Sequence, residues 1–462
     1  MKPPFYLPLP RLFSSALALL SSLCMTGAQA WGNHTLAAYR AFEAMPEVAT
    51  AAPVAAEPLE VFLKAQEKPI EALLKSQEDW AVANINAYPP RPATLAFTAD
   101  AARSDDARRL AFLRALRVAP NSKFALYFEM DPKNPVDAAA WLKHEDINTL
   151  PASRDSPHKY AALKAGEMVA PLKVLASASF EPDYGLDINV WSDSPSDWGK
   201  VYGFGALPFG NPKLSFSTQA PFHMGFYYED RILYMAAPFL KRTFPMLRAN
   251  QYSGLAALAF RTGHPYWGWR FTGLALHYVQ DLTQPYHANL SPGSSTLRLL
   301  WVNALSMAGF PKMRDETVTL LSNRHLALER YQGQILQRAN QVDKVPAWGQ
   351  VLNQALSNSS NDAQYPPWSD VYVRDVIARE SFDYGAQLAK IIVDTLPTGY
   401  VSDPAYDFGA NEDGIDLVAE LSKQNEAKRA ALDASVTELM GRFGAHSRNA
   451  VRGILKAAGT TK

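Results

Sequence analysis

The stretch Leu274-Ala275-Leu276-His277-Tyr278-Val279-Gln280-Asp281-Leu282-Thr283-Gln284-Pro285-Tyr286-His287 gathers two imidazoles and a carboxylate in a largely apolar setting. His277 and Asp281 are four residues apart. On a helix their side chains share one face, with Cβ atoms about 5–6 Å apart. A metal held at about 2.0–2.2 Å by nitrogen and oxygen fits that gap. Pro285 ends the helix and leaves His287 on the turn beyond. The ordinary alternative is a pair of buried polar groups that satisfy each other, and this motif alone leaves both readings open. Arg324-His325-Leu326-Ala327-Leu328-Glu329 repeats the His-x-x-x-acid spacing on a second helix. Taken singly, that pair reads equally well as a solvent-facing one. Trp31-Gly32-Asn33-His34 follows the small-x-small pattern Ala28-Gln29-Ala30. Cleavage after Ala30 would free an amino group that chelates a metal together with its own carbonyl, and His34 lies close by. Asn33 is placed to cap the helix that follows.

Together these motifs resemble the zinc-dependent phospholipase C and single-strand nuclease superfamily. Its features fall here on Trp31, His277, Asp281, His287, His325 and Glu329. The wording His277-Tyr278-x-x-Asp281-Leu282-x-Gln284-Pro285-x-His287 is the most specific part. The matched motifs span residues 31–331 and are separated by long unmatched segments. The resemblance implies an all-α fold with a zinc cluster in a cleft between helices, three zinc ions, and hydrolysis of phosphate esters. It also implies one Asp and one following His between the N-terminus and the main motif. Asp183, in Glu181-Pro182-Asp183-Tyr184, fits that Asp, with Asp187 in reserve, and His223 fits the His. By resemblance, Asp183, His223, His277 and Asp281 hold one zinc, and His287, His325 and Glu329 the second. Trp31 and His34 hold the third, which Asp281 bridges to the first. Asp183 is also expected to orient or deprotonate the attacking water. The chain departs from the family in its short Trp31-to-His34 spacer, in Gln280 where a small residue is usual, and in the wording after His223. His144 and His158 precede Asp183, in the wrong order. His264 and His446 lack an acid four residues on and read as structural or surface groups.

These residues must be positioned by helices. Apolar residues recur at three- and four-residue spacing over 34–45, 59–82, 159–175, 227–244, 266–279, 314–339 and 371–396. Few segments alternate as half-buried strands do. Pro- and Gly-rich stretches at 88–92, 207–212 and 396–399 punctuate the chain. The resulting division is a signal peptide at 1–30, a catalytic domain at 31–397 with an insertion at about 87–175, and a helical C-terminal tail at 398–462.

Lys2 and Arg11 followed by the apolar run 12–25 complete a signal-peptide pattern, so export to a periplasmic or extracellular space is expected. Cys24, the only cysteine, lies inside that segment, which leaves His, Asp, Glu and backbone as metal ligands. Hydrophobic residues make up 48% of the 462-residue chain, enough for a sizeable core. Lys+Arg and Asp+Glu both number 45, which gives no electrostatic case for a polyanionic partner. The expected substrate is a phospholipid or other phosphodiester, with transient membrane-surface contact and no obligate protein partner. Tyr184 offers a face for a quaternary ammonium, and Tyr266, Trp267 and Trp269 a lipid-facing cluster. The alternatives are a nuclease or nucleotidase stacking bases on Phe222, Phe226 or Tyr227, or a non-catalytic zinc- or lipid-binding protein.

Overall fold

The computed structural model describes residues 31–151, 158–212, 215–341, 345–423 and 426–460. The expected signal peptide lies outside them. The architecture is all-α, with strands confined to stretches of two or three residues. The helices that carry or frame the site are α1 (His34–Phe42), α2 (Pro171–Ala178), α3 (Ala220–His223), α4 (Pro245–Arg261), α5 (Pro265–Asp281), α6 (Pro285–Ala288), α7 (Thr296–Met307), α8 (Lys312–Ala339), α9 (Arg379–Thr395) and α10 (Glu426–Ala457).

α5 is the central element. Every residue from Tyr266 to Asp281 is buried, as befits a helix without a polar face. It pairs with α4 across the turn at Thr262-Gly263-His264 and is covered by α2 and α10. A Cβ on Gly273 would lie 2.5 Å from the carbonyl oxygen of Leu175, so only glycine lets the end of α2 approach this closely. That approach brings Ser179 over His277. α1 begins at Asn33, whose side chain accepts from the Leu36 amide at 2.9 Å as an N-cap.

The region 87–175 contains one longer helix, Asp105–Leu116, and most of the strand structure. β2 (Tyr127–Glu129), β4 (Tyr160–Ala162) and β3 (Trp141–Leu142) form a small antiparallel sheet, and β1 (Val54–Ala55) pairs with β5 (Met168–Val169). Residues 159–175 are therefore not one helix. Gly166, at φ +82°, turns the chain between two strands, and α2 starts only at Pro171. So short an apolar run fits either period. The expected helix at 227–244 is likewise broken into Arg231–Ala236 and a 3-10 turn at Pro238–Lys241, because Pro238 cannot continue it.

α10 belongs to the main core. Leu432, Val436, Leu439, Met440, Phe443 and Val451 are fully buried in the same cluster as α1, α5 and α8. Arg448 reaches the carbonyl oxygens of Ala41 and Leu356, at 3.2 and 2.6 Å. Replacing Phe443 by alanine should cost about 3–5 kcal/mol by leaving a cavity, read as a shift in the denaturation midpoint. A chain ending before α10 should show no cooperative unfolding transition at all.

Candidate metal centre

Three groups of His, Asp and Glu side chains each bring three ligand atoms within 4.8 Å of one another. They are Asp183, His223 and His277; His34, His277 and Asp281; and His287, His325 and Glu329. His277 is shared by the first two. Its Nε2 lies 3.0 Å from His223 Nδ1, 3.6 Å from Asp183 Oδ1 and 3.3 Å from Asp281 Oδ2. Asp281 turns its other oxygen, Oδ1, to His34 Nε2 at 3.3 Å and holds Oδ2 2.8 Å from His223 Nδ1. In the third group His287 Nε2 and His325 Nε2 are 3.1 Å apart, and Glu329 Oε1 is 3.6 and 2.5 Å from them. All eight residues are buried.

Three of the five imidazoles are aimed by a bond from the far nitrogen. His277 Nδ1 donates to the Ser179 carbonyl at 2.9 Å, and His287 Nδ1 to the His223 carbonyl at 2.8 Å. His34 Nδ1 donates to Gln280 Oε1 at 2.8 Å, and Gln280 Nε2 in turn donates to Ser447 Oγ of α10 at 3.2 Å. Such outer bonds fix the tautomer and turn Nε2 inward. Gln280, unexpected from the resemblance, is thus the group that orients His34.

Asp183 sits in a 3-10 turn, Glu181–Tyr184, clamped by two buried arginines. Arg270 of α5 donates Nη2 to Glu181 Oε1 at 2.6 Å and Nε to Oε2 at 3.0 Å. Arg248 of α4 holds Asp187 Oδ1, with Nε at 2.8 Å and Nη2 at 2.6 Å, and the Tyr278 hydroxyl donates to Asp187 Oδ2 at 2.6 Å. Asp187 is therefore committed to Arg248. It stands outside the three groups, with Oδ2 3.7 Å behind His223 Nε2. Asp183 is the aspartate that joins the cluster.

Both oxygens of Asp183, His34 Nε2, His223 Nε2, Asp281 Oδ1 and Glu329 Oε2 are buried without a hydrogen-bond partner. An uncompensated buried polar group costs several kcal/mol, and here such atoms are concentrated in one place. Burial alone would push His277 down, but Asp281 and Asp183 outweigh it and raise its pKa to about 9. Burial raises Asp183 against the pull of His277 and His223. Asp281 is held well below the carboxylate range because His277, His223 and His34 overcome its burial. Burial holds His287 down near 4, lowers His325 well below its usual value and raises Glu329 well above its own. Neutral imidazoles and clustered carboxylates are the donor set of a divalent cation such as zinc. The residues present fit such ions.

Trp31 is fully buried, and its indole N–H lies 3.1 Å from the Gln280 carbonyl and 2.9 Å from Thr283 Oγ1. A Cβ on Gly32 would meet the Glu329 carbonyl at 2.7 Å, so the turn at residues 31–33 lies directly against α8. A cleft of about 870 Å³ opens beside Gly32 and Glu329. Of the aromatic residues expected to face substrate, all but the half-buried Tyr227 are buried. Tyr184 packs edge-on against Tyr160, and Tyr266, Trp267 and Trp269 are core residues of α5. Phe222 and Phe226 are buried as well. His264 pairs with Glu57 at 2.9 Å, and His446 lies between Tyr372 and Glu380, each at 2.9 Å. His158 bonds Glu129, outside the cluster, and His144 bonds the Leu150 carbonyl. Sequence reasoning missed the roles of Arg248, Arg270 and Ser447. A charged residue inside an otherwise apolar helix was the available signal for the two arginines.

No known family, characterised protein or solved structure matches the chain at a significant level.

Two substitutions separate aiming from ligation. Gln280→Leu removes the acceptor for His34 Nδ1 and should weaken one metal ion by about 10–100-fold, measured by equilibrium dialysis, while the others stay bound. Arg270→Met strands Glu181 without its partner and should cost about 3–5 kcal/mol, read by denaturant unfolding.

Proposed function

We propose that this chain is a zinc-dependent hydrolase of phosphate esters, a phosphodiesterase of the phospholipase C kind, with Trp31, His34, Asp183, His223, His277, Asp281, His287, His325 and Glu329 as its metal ligands. The observation that carries this reading is three buried His/carboxylate groups, two of them joined: His277 is common to those two, and Asp281 contacts His34, His223 and His277. Zinc bound there supplies Lewis acidity toward phosphoryl oxygens and activates a water nucleophile. The chain's own residues do the rest. Asp183 has both oxygens free of other partners and accepts the proton of the attacking water. Asp281 supplies the negative charge between two neighbouring sites. Glu329 lies on the wall of the cleft with its carboxylate turned to His325. Trp31 is anchored by its indole to Gln280 and Thr283, and cleavage after Ala30 would free its amino group as a ligand. On this reading the protein works in an exported compartment.

Charge supports a lipid over a nucleic acid. The cleft beside Glu329 is lined by Asp407, Glu412, Asp413 and Asp416, against Arg330 and Arg338. Asp416 already engages Arg338 at 2.6 Å. An acidic wall repels a polyanionic strand more than a single phosphodiester.

Asp281→Asn keeps the size of the side chain and removes its charge. Hydrolysis of phosphatidylcholine should fall by roughly three orders of magnitude or more, with loss of metal from two sites by elemental analysis. His264→Ala should stay near wild type. Single-stranded DNA and a 3′-nucleotide complete the substrate panel, and preference for either would overturn the lipid assignment. A folded, fully metallated Asp281→Asn protein with normal turnover would overturn the site.

A further inference from the structure

The hairpin that joins His287 to His325 carries an apolar surface on its outer side. On α7, Leu299, Val302, Asn303 and Ser306 face inward, while Leu297, Trp301, Ala304 and Met307 face outward. The polarity of the helix is partly inverted. Asn303 Oδ1 and Ser306 Oγ are buried without partners, whereas Leu297 is 77% and Trp301 61% exposed. Phe310, at the hairpin turn, is 67% exposed, and Met313 at the start of α8 is also exposed. The adjoining helix Arg231–Ala236 packs through Leu233 into the same cluster as Leu299 and leaves Ile232 and Met235 exposed. Most long apolar side chains on a surface occur singly; these are grouped on one hairpin and its neighbour.

Around them the basic groups Arg231, Arg298, Lys312 and Arg314 outnumber the acids Asp230, Asp315 and Glu316 by one. Arg231 and Arg298 are exposed and have no ion-pair partner among the described residues. Lys312 is exposed, with Glu316 only at 3.8 Å. The nearby acids are engaged: Asp230 by the Thr296 hydroxyl and Asp315 by Arg314. No helix is long and apolar enough to cross a membrane among the described residues.

We propose that this hairpin docks on the surface of an anionic phospholipid bilayer, with Leu297, Trp301 and Phe310 entering the headgroup boundary and Arg231, Arg298 and Lys312 meeting lipid phosphates. Side chains that stand out one by one require matching pockets on a rigid partner, whereas a fluid phase accommodates them without any. Tryptophan at headgroup depth and a basic rim are the chemistry of such a contact. The proposal stands apart from the phosphodiester reading, because none of these residues belongs to the metal cluster.

The test is sedimentation of the full chain with vesicles of phosphatidylcholine alone and of phosphatidylcholine with about one-third phosphatidylserine. Hydrolysis of a soluble phosphodiester is measured in parallel. Trp301→Glu and Phe310→Glu should each lower vesicle binding roughly tenfold. Arg231→Glu with Arg298→Glu should remove the preference for phosphatidylserine. The soluble reaction should be unchanged in all of them, which separates failure of docking from failure of the catalytic reading. Circular dichroism checks each fold, and Met235→Glu replaces any variant that fails it. Variants that bind as well as wild type would overturn the proposal. So would a dimer in sedimentation velocity that Trp301→Glu dissociates while vesicle binding stays absent.

Discussion

Three carboxylates and five imidazoles share one buried volume at the heart of this protein. Ionisable groups do not collect in an apolar interior unless something there balances them. The buried cluster therefore constrains everything around it. α5 carries His277 and Asp281 only because it is buried on all sides, and the helices that surround it must deliver the remaining groups to one point. The uneven pull on protons has two causes: Asp281 and Asp183 raise His277 against its burial, whereas burial prevails at His287 and His325.

Rigidity comes from the surrounding layer. Main-chain carbonyls of Ser179 and His223 and the side chain of Gln280 each take one imidazole N–H. Arg270 and Arg248 tie the turn bearing Asp183 to α5 and α4. α10, near the C-terminal end of the described chain, closes the arrangement: Ser447 supports Gln280, and the Phe443 ring centroid is 6.2 Å from that of His34. The two ends of the described chain thus meet at the cluster, so its geometry depends on the whole fold and not on the two motif-bearing helices alone.

Much of this was legible in the sequence. Four-residue spacing on an apolar helix dictates that His277 and Asp281 share a face, and likewise His325 and Glu329, whatever the rest of the fold does. Pro285 stops α5 and leaves His287 beside its end. Asn33 caps α1 because its side chain competes for the free amide of Leu36. Helical periodicity gave the class of the fold, and it failed where an apolar run was short, at residues 159–175, or where Pro238 cut it.

What local pattern could not decide was choice among chemically equivalent residues. Asp183 and Asp187 are four apart in one loop, and only the packing of Arg248 against Asp187 leaves Asp183 as the one with unpartnered oxygens. Most aromatic residues read as substrate platforms, Tyr227 excepted, proved to be core, because an exposed ring and a packed ring have the same sequence signature. The outward apolar stripe of α7 was equally hidden: periodicity reports which residues share a helix face, but only the tertiary structure says which face turns inward. Spacing along a chain fixes local geometry through backbone dihedrals. Burial, charge pairing and exposure depend on contacts between distant segments, and those exist only once the chain has folded.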